Sequence, residues 1–268
     1  MKTALTSRPF KKEMIRYQGW FGAFSRSFLS NASRKVREAM GLKLVHSQRV
    51  RHLALTLARE IDLDHRALFL SELCGLFHDI GRLPQFEKYG TFLDAKSEDH
   101  ALLGVKVLRG NQVLKDLKFE ERQMVLDAIY VHNKFSIPES FKGLKLTLSK
   151  IVRDADKIDI WRVFDEFYKK GRGSSEINLG LLPGDAISPE VMEDFSSGRI
   201  VRLEHVKNQL DFMIMRLSWL FDINFKASLR IITQRGYIDT ILERLPEGKE
   251  RRLISSKLFS FLKEKPGT

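Results

Sequence analysis

Cysteine is almost absent from this chain of 268 residues, in which Cys74 is the only one. A disulfide within the chain cannot form, and sites that need several thiolates, such as thiolate-rich zinc or iron–sulfur sites, are disfavoured. This usage is typical of a reducing compartment, so we expect a cytoplasmic protein. Because Cys74 stands in an apolar run, we expect it to be a small buried hydrophobic residue.

Long apolar runs are also missing. No stretch approaches the roughly 18 to 20 residues that span a bilayer, and no uninterrupted apolar segment near Met1 suggests a signal peptide. Hydrophobic residues nevertheless make up 43% of the chain. We therefore expect a soluble protein, without a transmembrane segment, that folds as one large domain or two small ones.

A third absence is the alternation of apolar and polar residues that marks β-strands. Apolar residues instead recur at helical spacing, which predicts an all-α fold. Gly, Ser and Pro concentrate in residues 171–189, which we interpret as a long loop of the kind that often serves as a functional lid. The predicted helices cover residues 46–61, 64–81, 97–107, 120–132, 145–163, 206–220 and 227–245, with a loop over 83–96.

Acidic residues are scarce at the N-terminal end. Residues 1–45 hold ten Lys and Arg but only two acidic side chains, so this segment carries +8 of the formal net charge of +12. Such an excess predicts an anionic partner: a phosphate ester, a nucleotide, a nucleic acid or an acidic membrane surface. The aromatic residues of this segment have three interpretations. They form a face that stacks on nucleic acid or contacts a membrane, they pack on the main domain, or the segment is an organellar transit peptide. They are Tyr17, Trp20, Phe21, Phe24 and Phe28.

Histidines mark the candidate site. Four of the seven fall on the apolar faces of successive predicted helices. A single such residue is more often a satisfied core histidine, but burying four imidazoles is costly unless a common partner binds them, and a metal ion is the economical one. Imidazole and carboxylate ligands suit Fe, Mn, Ni, Co or Zn. The four are His46, His78, His100 and His132.

An aspartate directly follows one of these histidines, at a helix end, in the stretch "CGLFHDIGR". At a fraying helix end, Asp79 can place both oxygens on one ion or one oxygen on each of two neighbouring ions. We expect Gly81 to let the chain turn away from the site. Further along, Asp159 lies on the inward stripe of a predicted helix and Asp156 at its edge, and periodicity leaves open which of them binds metal.

The ordered set of His46, His78-Asp79, His100, His132 and Asp156 in "RDADKID" resembles the extended H…HD…H…H…D signature of the HD-domain superfamily of metal-dependent phosphohydrolases. The resemblance covers roughly residues 44–165. It implies an all-α bundle that holds two divalent ions, of Fe, Mn, Ni, Co, Zn or Mg, among five core helices. One ion would take His46, His78, Asp79 and Asp156, and the other Asp79, His100 and His132.

The resemblance also implies a reaction. A metal-bridged hydroxide would cleave a phosphoester in a nucleotide or another small phosphorylated molecule. Asp79 and Arg82 are then the candidate catalytic residues, with Arg82, Lys157 and Arg153 as candidates for binding the substrate's phosphate. Asp159 becomes a candidate partner that orients a metal ligand or a basic residue.

The chain departs from the HD-GYP branch, which hydrolyses cyclic dinucleotides, because Arg82 replaces a lysine and the GYP tripeptide is missing. Two alternatives to hydrolysis remain open. One is an HD-fold diiron oxygenase acting on a small polar or phosphonate substrate. The other is a non-catalytic module that senses a nucleotide or binds nucleic acid through its basic N-terminal segment, although a complete ligand set counts against it.

These patterns divide the chain into three parts. We expect a basic helical extension over residues 1–43 and an HD-domain core over residues 44–170. A loop and a helical region over residues 171–268 would pack on that core. The oligomeric state is left open by the sequence.

Overall fold

A computed structural model describes residues 10–30, 32–170 and 180–264 of the chain. Within these ranges the regular structure is helical and no strand occurs, which confirms the all-α prediction. The α-helices are α1 (Lys11–Leu29), α2 (Arg34–Glu60), α3 (His65–Phe77), α4 (Arg82–Tyr89), α5 (His100–Gly110), α6 (Phe119–Val131), α7 (Gly143–Lys170), α8 (Pro189–Ser196), α9 (Gln209–Ser218), α10 (Lys226–Gln234), α11 (Tyr237–Leu242) and α12 (Lys249–Glu264).

Two compact units make up the chain, residues 1–156 and residues 157–268. The division falls inside α7. Among the described residues, no helix is both long and apolar enough to cross a membrane.

Helix α3 is the central element of the first unit. Every residue from Phe69 to Phe77 is buried, because the helix is apolar on all sides and other helices cover it. Asp64 begins it as predicted, accepting a hydrogen bond from the Ala67 backbone amide at 2.8 Å. Gly75 lets α2 approach closely, since a Cβ atom there would lie 2.8 Å from the Cα atom of Arg51.

The aromatic residues of α1 face this core. Tyr17 and Phe21 are buried, and both rings lie about 6.2 Å from the ring of Phe77. Trp20 meets Phe77 edge-on at 5.9 Å and stacks on Phe24 at 4.9 Å. Of the interpretations of this basic aromatic segment, the structure supports packing on the main domain, because these rings are used inside the first unit.

Three expectations about helix ends were wrong. The first part of the predicted loop, residues 83–89, belongs to α4, because Pro84 stands in the first turn, where a missing backbone N–H is tolerated. Asp99, not Ser97, caps α5 by accepting from two backbone amides. The predicted helix 227–245 is split into α10 and α11 at Gly236, whose φ of 69° is left-handed.

The predicted loop at residues 171–189 lies partly outside the described residues, which resume at residue 180. From there the chain is non-helical up to Pro189, the first residue of α8. In the second unit, Asp211 accepts hydrogen bonds from the backbone amide and the hydroxyl of Ser188, both at 2.7 Å. This buried pair fixes the start of α8 near the start of α9.

Candidate metal centre

The His-Asp pair stands in a turn between two helices. Helix α3 ends at Phe77, and the chain turns through residues 78–81 before α4 begins. The Nδ1 atom of His78 lies 2.9 Å from the carbonyl oxygen of Gly75, three residues back. That hydrogen bond fixes the ring and leaves its Nε2 atom directed into the first unit, where the side chain is fully buried.

Gly81 is required for a different reason from the one predicted. Its φ of −69° is open to any residue, so the turn itself does not need glycine. A Cβ atom there, however, would lie 2.1 Å from the carbonyl oxygen of His100 and 2.5 Å from the backbone nitrogen of Gly104. Gly81 therefore lets α5 pack directly on the turn, which brings His100 beside Asp79.

Asp79 is the centre of the cluster, and its two oxygens face different histidines. Its Oδ2 atom lies 3.8 Å from the Nε2 atoms of both His46 and His78. Its Oδ1 atom lies 3.3 Å from Nε2 of His100 and 3.9 Å from Nε2 of His132. The carboxylate thus divides the four imidazoles into two pairs.

We name the two groups by their first histidine. The His46 half consists of His46, His78, Asp156 and the Oδ2 atom of Asp79. Asp156 completes it through its Oδ1 atom, which lies 3.0 Å from Nε2 of His46 and 3.6 Å from Nε2 of His78. The His100 half consists of His100, His132 and the Oδ1 atom of Asp79.

The histidine rings of the His100 half are held in one tautomer. The Nδ1 atom of His132 donates to the carbonyl oxygen of Ile129 at 2.6 Å, and Nδ1 of His100 donates to Asp94 at 2.7 Å. A neutral ring that carries its proton on Nδ1 has a lone pair on Nε2. The two Nε2 atoms are 3.1 Å apart, so two lone pairs face each other. A cation bound to both nitrogens removes that repulsion, and the residues therefore fit a metal ion.

The protonation states suit a metal as well. Burial lowers the pKa of His132 to about 3, and the neighbouring His100 and His78 add to the shift. Burial and the charge of Arg82 likewise lower the pKa of His100. These two imidazoles are therefore neutral at pH 7, the form that binds metal.

The carboxyl groups, in contrast to the neutral imidazoles, are charged. Burial raises the pKa of Asp79, but Lys43 and Arg82 outweigh it and hold the pKa well below its ordinary value. Burial also raises the pKa of Asp156, and the neighbouring His46 and His78 outweigh it in the same way. Both carboxylates are thus ionised and available to a cation.

Asp94, which the sequence analysis missed, orients His100 by accepting a hydrogen bond from its Nδ1 atom, on the side of the ring away from Asp79. Besides the bond from His100, its carboxylate accepts from Arg82 at 2.9 Å, Gln85 at 2.8 Å and Asn133 at 3.1 Å. Asp94 begins a short 3-10 helix, Asp94–Lys96. No helical spacing links it to a ligand, so the sequence carried no periodic signal for it.

Two cations flank Asp79, one on each oxygen. Lys43 donates to Oδ2 at 3.1 Å, and the Nε atom of Arg82 donates to Oδ1 at 3.2 Å. The Nη1 atom of Arg82 also donates to the carbonyl oxygen of Phe92, at 2.5 Å. Lys43 was not predicted, although it stands one helical turn before His46 on α2, a spacing that sequence reasoning can use.

Three other residues of the predicted site lie outside the two halves. Arg153 is buried and donates to the carbonyl oxygens of Val131 and Phe135, so it holds the turn after α6 instead of facing a substrate. Lys157 and Asp159 belong to the second unit. There they form ion pairs with Asp222 and Arg162 respectively, and their predicted roles in phosphate binding and in orienting a ligand or a basic residue stay predictions.

Comparison with known proteins identifies this region of the chain. The sequence model of one family, described as HD domain, matches residues 44–161, a segment that contains all six residues of the two halves. Residues 44–161 thus form an HD domain, and domains of this superfamily are commonly those of metal-dependent hydrolases. No significant match was found among curated proteins or among solved structures.

Proposed function

We propose that the protein hydrolyses a phosphoester, in a nucleotide or another small phosphorylated molecule, with the help of two divalent metal ions. The observation that carries this proposal is the position of Asp79, whose two oxygens each face a separate pair of imidazoles. A carboxylate in that position can serve two ions at once. The HD domain supports the same class of chemistry.

Two ions in these halves would supply an activated water molecule and positive charge for the phosphoryl oxygens. The protein's own side chains prepare the site for both. His78 and His132 are fixed by backbone carbonyl groups three residues before them, and His100 by Asp94. Because these three imidazole rings are already oriented before a metal binds, their side chains need little rearrangement on binding.

The substrate's remaining charge needs cations outside the metal ligands. Lys43 is suitable, because its side chain is 28% exposed and lies beside the buried Asp79. Arg82 uses Nε and Nη1 for Asp79, Asp94 and the Phe92 carbonyl group, while Nη2 has no hydrogen-bond partner among the described residues. We assign that nitrogen to a phosphate oxygen of the substrate.

The test is a metal-dependent assay. Protein stripped with a chelator is reloaded with Mn²⁺, Fe²⁺, Co²⁺, Ni²⁺, Zn²⁺ or Mg²⁺ and given a panel of nucleotides, bis(p-nitrophenyl) phosphate and p-nitrophenyl phosphate, with and without oxygen. We expect hydrolysis with at least one metal, no hydrolysis in the stripped protein, and equal rates with and without oxygen.

Two outcomes contradict the proposal. A fully loaded protein that cleaves no phosphoester in the panel would refute hydrolysis of this bond class. Turnover that consumes oxygen, and stops when oxygen is removed, would instead identify the alternative oxygenase chemistry.

A further inference from the structure

A cavity lies in the first unit, and none of the candidate metal ligands lines it. It has a volume of about 460 Å³ and sits where α5 and α6 are joined by residues 111–118. The other end of this helix pair carries His100, which begins α5, and His132, which follows α6. Leu108, on the cavity wall, is eight residues beyond His100, or about 12 Å along the helix.

Three cations line this cavity: Arg109, Lys115 and Arg122. Within the part of the chain that the structure describes, none of the three forms an ion pair. Two nearby acids are engaged elsewhere, since Asp116 pairs with Arg16 at 2.6 Å and Glu121 pairs with Arg66 at 2.6 Å. The cavity therefore concentrates positive charge that the described residues leave uncompensated.

Four apolar residues also line the cavity. Leu108, Leu114 and Leu126 are almost fully buried, and they form its floor. Phe119 stands at the edge with 65% of its surface exposed, and the guanidinium group of Arg122 lies 5.6 Å from the centre of its ring. An exposed aromatic ring beside an unpaired guanidinium group suits a ligand that has both a flat ring and negative charge.

Gln112 contributes a side-chain amide to the cavity, although its backbone conformation is unfavourable for a residue other than glycine. It occupies the left-handed position after α5, with φ of 50°, where glycine is the usual residue. The backbone N–H of Gln112 donates to the carbonyl oxygen of Arg109, and the backbone N–H of Val113 donates to that of Leu108, both at 3.0 Å. These two bonds form a Schellman motif. A glutamine side chain at this position lines the cavity, a contribution that glycine would lose.

We propose that this cavity binds a nucleotide, with the phosphates on Arg109, Lys115 and Arg122 and the base against Phe119 and the leucine floor. A free inorganic anion would use the cations but not the apolar floor. The volume falls within the range of about 300 to 1,000 Å³ that is usual for small-ligand sites, and is small for a polymer. This site is independent of the proposed reaction, because it shares no residue with either half of the metal centre.

The experiment measures binding of radiolabelled ADP to the full-length chain by equilibrium dialysis, with EDTA present so that metal-bound nucleotide does not contribute. The test variant is Arg109→Gln with Arg122→Gln. The matched control is Arg37→Gln with Arg59→Gln, which removes the same charge from exposed positions on α2. We expect the dissociation constant to rise at least about tenfold in the cavity variant and less than about twofold in the control.

A second variant guards against misfolding. Gln112→Gly removes only an amide and places glycine where the backbone favours it, so the fold should survive and its thermal midpoint should not fall. We expect it to weaken ADP binding by a smaller factor than the double substitution does. Circular dichroism of all the variants verifies that the helices are intact.

The competing ligands give the remaining outcomes. ADP should bind more tightly than pyrophosphate, because only ADP reaches the apolar floor. Pyrophosphate binding as tightly as ADP, equal dissociation constants in the cavity variant and the control, or no ADP binding to the unaltered chain would each overturn the proposal. Preference for a single-stranded oligonucleotide over ADP would also overturn it, and would assign this surface to nucleic acid.

Discussion

The two halves of the metal centre share one carboxylate but differ in what surrounds it. The His46 half has two imidazoles, an oxygen of Asp79 and the additional carboxylate of Asp156. The His100 half has two imidazoles and the other oxygen of Asp79, with Asp94 behind His100. The first half therefore offers a cation more negative charge, and we expect it to bind metal more tightly.

One small motif thus contributes to two unequal groups of potential metal ligands. A single aspartate at a helix end serves both halves because its two oxygens point to different histidine pairs. The inequality then comes from side chains elsewhere in the chain: Asp156 on α7 strengthens one half, and Asp94 orients a ligand of the other. Changes at these positions should affect the halves together or separately.

The largest effect is expected for Asp79→Ala, which removes an oxygen from both halves. Bound metal, measured by elemental analysis, should fall to background. Phosphoester hydrolysis should fall by about 10³-fold, equivalent to about 4 kcal/mol of lost transition-state stabilisation. Asp185→Ala, an exposed aspartate of the second unit, is the control and should change neither quantity. Unchanged metal content in Asp79→Ala would refute its shared role.

His132→Ala should separate the halves. It removes one of two imidazoles from the His100 half and leaves the ligands of the His46 half in place, so one equivalent of metal should remain. We expect a loss of about 100-fold in kcat, or about 2.7 kcal/mol. His52→Ala on α2 is the matched control, because that histidine is exposed. Loss of both equivalents in His132→Ala would show that the halves do not bind independently.

Asp94→Asn tests the indirect support of the His100 half. The amide cannot match the charge-assisted hydrogen bond that the carboxylate accepts from Nδ1 of His100. We expect the affinity of the more weakly bound metal to fall about 10- to 100-fold, with the tighter equivalent unchanged. A metal titration by calorimetry distinguishes the two equivalents, and equal weakening of both would contradict a role confined to the His100 half.

The smallest effect is expected for Lys43→Gln. Lys43 lies beside the His46 half and is partly exposed, so solvent screens its charge. The KM for a phosphoester should rise about fivefold, or about 1 kcal/mol, with kcat and metal content little changed. Steady-state kinetics at two salt concentrations measure this, because the difference should shrink as salt rises. A loss confined to kcat would instead indicate that Lys43 acts on the reacting atoms.

Helical periodicity predicted the fold class and placed the histidines on inward faces, whereas the division of the ligands into two sets came from the resemblance to the HD-domain superfamily. His46, His100 and His132 fall on inward faces, and a helix that is buried on one side must turn those positions toward the core. The choice between Asp156 and Asp159 came from the motif, and the structure pairs Asp159 with Arg162 in the second unit.

Periodicity could not find what lies outside regular helices or depends on contact between distant segments. Asp94 reaches His100 from a 3-10 turn, so its position has no repeating pattern. Gly81 is needed because α5 packs against it, a fact that only the three-dimensional structure contains. Arg153 was misassigned for a related reason: a buried arginine bound to carbonyl groups has the same one-letter signature as one that binds phosphate.

The central claim is that Asp79 lies between two metal ions, one in each half. It is tested most directly by crystals of the protein loaded with Mn²⁺, with anomalous diffraction used to locate the metal. We predict two anomalous peaks: one in contact with Oδ2 of Asp79, His46, His78 and Asp156, and a weaker one in contact with Oδ1 of Asp79, His100 and His132. A single peak, or peaks that do not contact Asp79, would contradict the account.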